Sequence, residues 1–132
     1  MALRLDPFVS LGDVAFDLTP AALRARRGPP LREARSSIGL TEHDYGDAVL
    51  RFQDNGRLEE ITMQAPVLSL GVVAIAFACL GPFVRAHDAG AFERAGFLVS
   101  PGFGLAFVPA QPCWVTALAP HCLDAWRALP QG

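Results

Sequence analysis

Lysine is missing from this 132-residue chain, and all eleven basic side chains are arginine. That is a codon-usage bias with no chemistry of its own. A basic surplus is missing too: the formal net charge is −2, whereas a nucleic-acid binder shows a basic stripe or patch. The only candidate stripe is Arg24, Arg26 and Arg27 with Arg32 and Arg35. A solvated helix end accounts for it, because cations are favoured at helix C-termini. No nucleic-acid partner is expected. The three cysteines, Cys79, Cys113 and Cys122, follow no CxxC spacing, so the sequence contains no paired-cysteine zinc motif. Reduced thiols in a cytoplasmic protein are expected, with a Cys113–Cys122 disulfide left open. The N-terminal stretch carries Asp6, Asp13 and Asp17 and lacks a long apolar core, so it does not read as a secretory signal.

What is present is apolar. Hydrophobic residues make up 52% of the chain and charged residues 18%, enough for a packed core in a single domain over 1–132. The charge is unevenly placed. Residues 1–35 hold six arginines against four acids, and residues 36–60 hold Glu42, Asp44, Asp47, Asp54, Glu59 and Glu60 against Arg51 and Arg57. From Ile61 to Val84 there is no charge at all.

That uncharged run raises the question of a membrane span. Ten Val, Leu, Ile or Phe residues between Ala65 and Val84 would contribute roughly −3 to −6 kcal/mol to insertion. Gly81-Pro82 should break a helix near its end, leaving Val72 to Leu80 as about three turns, well short of the ~30 Å hydrocarbon core. The run is therefore expected to be a core helix covering a sheet, with no membrane partner. Cys79, within it, is expected to behave as a small hydrophobe.

The rest reads as short elements. Leu11 to Phe16 alternates loosely, as a short strand does. Thr19 followed by Pro20 marks a helix start that Gly28-Pro29-Pro30 ends, with Leu23 facing inward. Asp47 to Gln53 and Arg57 to Gln64 flank Asn55-Gly56 and predict a hairpin, with Ser37 to Tyr45 as a third strand before it. Phe97 to Ser100, Phe103 to Val108 and Cys113 to Leu118 predict three more strands, and His121 to Leu129 a C-terminal helix. The expected fold is α+β: a mostly antiparallel sheet built from two helix-plus-meander units, about 11–64 and 65–118, with the helices on one face and a last helix at about 121–129.

No catalytic, metal or cofactor set emerges. His43 sits among Glu42, Asp44 and Tyr45, which could favour its charged form, but no nucleophile lies at a recognisable spacing. His87-Asp88 reads as a surface loop. Cys113, His121, Cys122 and Asp124 mix sulfur and nitrogen ligands without the paired spacing that zinc favours. Gly102-Phe103-Gly104 joins two strands, which suits a turn better than a phosphate loop.

The order Gly12-x-x-x-Phe16-x-Leu18-Thr19-x-x-x-Leu23, ending in Gly28-x-Pro30, together with the hairpins Val49–Ile61 and Gly96–Pro109, resembles small bacterial proteins with tandem helix-plus-meander units. These are β-lactamase-inhibitor-like domains and immunity proteins that neutralise toxins. The resemblance spans most of residues 11–118 and implies a non-catalytic protein that binds a protein toxin or effector by occlusion. The acidic stretch would steer a basic partner. Glu42, His43, Asp44, Tyr45, Asp47, Asp54 and Glu59 are the candidate contact residues, with Tyr45 as anchor. Two alternatives stay open: a small enzyme or ligand-binding domain with an apolar pocket between sheet and helix, and a membrane-anchored subunit using the apolar run.

Overall fold

A computed structural model of the chain describes residues 2–36 and 39–129. Its first segment folds into β1 (Leu3–Asp6), β2 (Ser10–Leu11) and β3 (Val14–Ala15), so the loose alternation near Leu11 becomes two very short strands. Helix α1 (Pro20–Arg27) begins as the sequence indicates. Thr19 Oγ1 accepts the amide of Ala22 at 3.1 Å, Pro20 fills the first turn and Leu23 is fully buried. At the other end Gly28, at φ +78°, donates its amide to the Arg24 carbonyl and stops the helix.

Four antiparallel strands follow: β4 (Arg32–Arg35), β5 (Thr41–Asp44), β6 (Ala48–Phe52) and β7 (Leu58–Gln64). The Asn55-Gly56 hairpin forms between the last two. Of the strand expected over Ser37 to Tyr45, Thr41–Asp44 is observed, and residues 37 and 38 lie outside the described residues.

The uncharged run departs from expectation. It forms a hairpin, β8 (Val67–Leu70) and β9 (Val73–Ala76), before helix α2 (Phe77–His87). Of the helix expected over Val72 to Leu80, only Phe77 to Leu80 is helical; Val73 to Ala76 is strand. β-Branched Val67, Val72, Val73 and Ile75 favour strands, and Gly71, at φ +61°, supplies the tight turn. Pro82 lies inside α2 instead of ending it. It is the sixth of the eleven residues and removes one ladder bond, while buried Phe77, Leu80 and Val84 hold the helix to the core on either side. Cys79 is exposed on α2, correcting its expected burial. No helix among the described residues is long and apolar enough to cross a membrane.

After α2 come four more antiparallel strands, β10 (Phe92–Arg94), β11 (Phe97–Ser100), β12 (Leu105–Phe107) and β13 (Trp114–Leu118), then a 3₁₀ turn (Pro120–Cys122) and α3 (Leu123–Arg127). The Gly102-Phe103-Gly104 turn is organised by Asp88. Burial pushes the Asp88 carboxyl up, but hydrogen bonds from Ser100 Oγ and from the amides of Gly102 and Gly90 outweigh it and hold the group below its usual range.

The strands make two sheets. One has the order β3-β2-β1-β8-β9, with β1 and β8 parallel. The other has the order β10-β11-β12-β13-β7-β6-β5-β4 and is antiparallel throughout. The fold is therefore α+β and mostly antiparallel sheet, as expected from the sequence. Ala48, Leu50, Phe52, Ile61, Met63, Leu98, Leu105, Phe107, Val115 and Ala117 alternate onto one face of the large sheet and share a core with Leu5, Leu68 and Ile75 of the small sheet and Leu23, Leu80 and Val84 of α1 and α2. Contact there is close: a Cβ on Gly104, whose φ is +59°, would lie 2.8 Å from the Phe8 ring. Helix α3 joins a different cluster, with Val99, Ala106, Leu118, Cys122 and Trp126. By strand alternation those residues point to the opposite, outer face. The helices thus do not all share one face.

Candidate functional site

The site begins with an irregularity in β7. Arg51 pairs with Glu60 but Phe52 pairs with Leu58, leaving Glu59 as an extra residue in a β-bulge. In a regular strand Glu59 and Glu60 would face opposite ways. The bulge re-aims one of them, and both line the same cleft on the outer face. The sequence carries a signal for this: Leu58 to Ile61 steps by three, whereas Ile61 to Met63 steps by two.

Around the two glutamates the outer face carries a polar network. Arg51 donates Nε to Glu42 Oε2 at 3.2 Å and Nη1 to both Glu60 Oε1 at 3.3 Å and Thr62 Oγ1 at 3.0 Å. The Thr62 and Thr116 hydroxyls meet at 2.8 Å across the β7–β13 ladder. From α3, Trp126 donates its indole N–H to Glu60 Oε2 at 3.0 Å, and its ring packs edge-on against Phe97. Glu59 takes a hydrogen bond from Gln53 and lies 2.8 Å from His121 Nε2.

The electrostatics follow from this packing. Burial pushes the Glu60 carboxyl up; Arg51 and the Trp126 indole oppose that shift, while Glu59 and Glu42 reinforce it. Burial, then Glu60 and Glu59, push the Cys122 thiol far up as well. It therefore stays protonated, and it donates to the Ala119 carbonyl at 3.0 Å. A thiol held in that state is a poor nucleophile.

Two clefts of about 230 Å³ each flank Trp126 and share it with Glu60. The first is walled by Leu40, Ala125 and Leu129 around Glu59, Glu60 and His121. The second lies over Arg51, Thr62 and Thr116, between Phe97 and Trp114.

The seven residues singled out in the sequence do not come together. Glu42 and Glu59 belong to this face. His43 points the other way, 4% exposed in the core, edge-on to Phe52 with Nε2 3.4 Å from Glu33. Burial lowers its pKa, outweighing Glu33, with Arg24 acting in the same direction as burial. The charged His43 expected from its acidic neighbours is thus disfavoured. Tyr45 is a clasp: its hydroxyl donates to the Gly28 carbonyl at 2.9 Å and its ring lies under Arg27. Asp47 pairs with Arg27, Asp44 with Arg32 and Asp54 with Arg35. The acidic stretch is in large part neutralised by the arginines that precede it.

Sequence reading missed Arg51, Glu60, Thr62, Thr116 and Trp126, which meet only when β7, β13 and α3 pack. The Cys113–Asp124 group disperses. His121 goes to Glu59, Cys122 is buried, Asp124 lies near Arg127, and all three cysteines are free. Among the described residues no group of three or more His, Cys, Asp or Glu side chains is arranged to hold a metal ion. Comparison with protein-family models, with characterised proteins and with solved structures finds no match to the chain.

Proposed function

We propose that this chain is a non-catalytic inhibitor or immunity-type protein that neutralises a protein toxin or effector by occlusion. Its contact surface is the outer face of the eight-stranded sheet around Glu42, Glu59, Glu60 and Trp126. One observation carries the reading: Glu59 and Glu60 line one Trp126-walled cleft that Arg51 does not line. Arg51 is shared between Glu60 and Glu42, and among the described residues Glu59 faces only Gln53 and His121, so a basic side chain of a partner would find carboxylates there. Size supports the same choice. Each cleft, at about 230 Å³, falls below the roughly 300–1,000 Å³ of small-molecule pockets and suits one inserted side chain. An element order in which α1 and α2 are each followed by four antiparallel strands is consistent with the tandem-unit likeness. The polar groups are also committed to each other. Glu60 has a partner on each oxygen, and Cys122 is held protonated.

The test is capture of a partner by tagged protein in low and high salt, comparing wild type with Glu59→Gln and with Asp47→Asn. A stoichiometric partner that salt weakens, that Glu59→Gln loses and that Asp47→Asn retains supports the outer face. Equal capture by wild type and Glu59→Gln overturns it.

A further inference from the structure

The two sheets have four edges, and the described residues treat them differently. β4, with sequence Arg-Glu-Ala-Arg, is charged along its length, and β10 carries Glu93 and Arg94. β3 is only two residues long. Charge and shortness are the usual devices that stop an edge from pairing with another chain. The fourth edge, β9, has neither. It reads Val73-Ala74-Ile75-Ala76, contains no proline or bulge, and lies within the uncharged run from Ile61 to Val84.

The hydrogen-bond register indicates what this edge offers. Phe77 N donates to the Pro66 carbonyl, and Leu68 pairs with Ile75 and Leu70 with Val73. In an antiparallel ladder alternate residues bond to the neighbouring strand, so Val73 and Ile75 bond toward β8. The amides and carbonyls of Ala74 and Ala76, and of Val72 at the turn, face outward. Val72 is fully exposed and Val73 is 44% exposed; Ala74, Ala76, Ala78 and Cys79 are exposed beside them.

We infer that β9 is a self-association edge whose occupant is β9 of a second copy of this chain. Antiparallel edge pairing is inherently twofold, so one strand can be its own complement. Pairing centred on Ala74 sets Val72 opposite Ala76 of the second copy and joins the two five-stranded sheets into one. No like charges meet, because the run has none to bring together; a partner with a charged edge would gain no counter-charge from it. The pairing edge is only four residues long, so the dimer forms at high concentration and dissociates on dilution. It lies on the small sheet and is independent of the Glu59 cleft.

Sedimentation velocity of the full chain over a concentration series tests this, using wild type, Ala74→Lys and Ala74→Glu. Residue 74 is exposed, so both variants should keep the wild-type circular dichroism and melting temperature. Wild type should shift toward dimer as concentration rises. Each variant alone should associate about tenfold or more weakly, since like charges then sit directly opposite. An equimolar mixture of the two should recover the dimer, because Lys then meets Glu across the twofold. A wild type that stays monomeric throughout, or variants that associate as strongly as wild type, overturns the inference. A mixture that fails to recover the dimer overturns the Ala74-centred register.

Discussion

Replacing Arg51 by Met should cost stability in a pH-dependent way, because its guanidinium holds the buried Glu60 carboxylate. Its Nη1 lies 3.3 Å from Glu60 Oε1, with side-chain exposures of 23% and 6%. At an effective dielectric constant near 20, a unit pair at that separation carries about 5 kcal/mol. Desolvation of both groups offsets much of it, and breaking buried pairs costs about 3–5 kcal/mol by measurement. Glu60 has an escape, since it can take up a proton. The loss expected at pH 7.5 is therefore about 2–3 kcal/mol, or roughly 6–12 °C in melting temperature.

The sign with pH follows from the direction of the Glu60 shift. Its folded pKa is raised above the ordinary 4.5, so between those values the native state binds more protons than the unfolded chain. Stability from this group is present below pH 4.5 and declines as pH rises through the folded pKa. Removing Arg51 raises that pKa further and deepens the decline. At pH 4.5 the loss should shrink to about 1 kcal/mol, the scale of the broken hydrogen bonds to Glu42 and Thr62. Urea denaturation of Arg51→Met at both pH values measures this. Adding Glu60→Gln to the variant should return most of the loss at pH 7.5 and separates Glu60 from Glu42. An equal loss at both pH values, or no recovery with Glu60→Gln, refutes the reasoning.

Two further outcomes are expected. Among the described residues His43 Nδ1 is buried without a hydrogen-bond partner, so His43→Leu should stabilise by about 1 kcal/mol. Because the folded pKa of His43 lies below 6.5, the unfolded chain protonates first and native stability falls as pH drops through 6.5. The advantage of the variant should therefore be larger at pH 5.5 than at 7.5, and denaturation curves with the opposite order would contradict this. Thiol labelling should modify exposed Cys79 first, half-buried Cys113 more slowly and buried Cys122 only on unfolding; labelling of native Cys122 as fast as Cys79 would contradict its burial.

What the sequence made legible was local. Thr19-Pro20 and Gly28 bounded α1 because capping depends on nearest neighbours, and Asn55-Gly56 named its hairpin for the same reason. β1, β4 and β10 were invisible: each has three or four residues, mixes charged with apolar side chains and gains its strand conformation from pairing partners far along the chain. The run from Val67 to Val84 misled because continuous apolar sequence fits a buried helix and a strand pair equally well, and length was the wrong arbiter there. The site was half legible. Glu42 and Glu59 were singled out for charge, but Trp126 reaches Glu60 across 66 residues, and no local pattern encodes that meeting.

The place of β7 at the centre of the large sheet has a kinetic consequence. One side of β7 pairs with β6 immediately after the hairpin, but the other waits for β13, and Thr62 and Thr116 are 54 residues apart. At ordinary ribosomal speeds of ~5–20 residues per second, the nascent chain carries an open strand for roughly 3–10 s. That strand includes Ile61 and Met63, and an open apolar strand is where nascent chains stick to one another. Glu59 and Glu60 lie on it, beside those residues. The carboxylates that later face Arg51, His121 and Trp126 thus first serve as gatekeepers of an unfinished sheet.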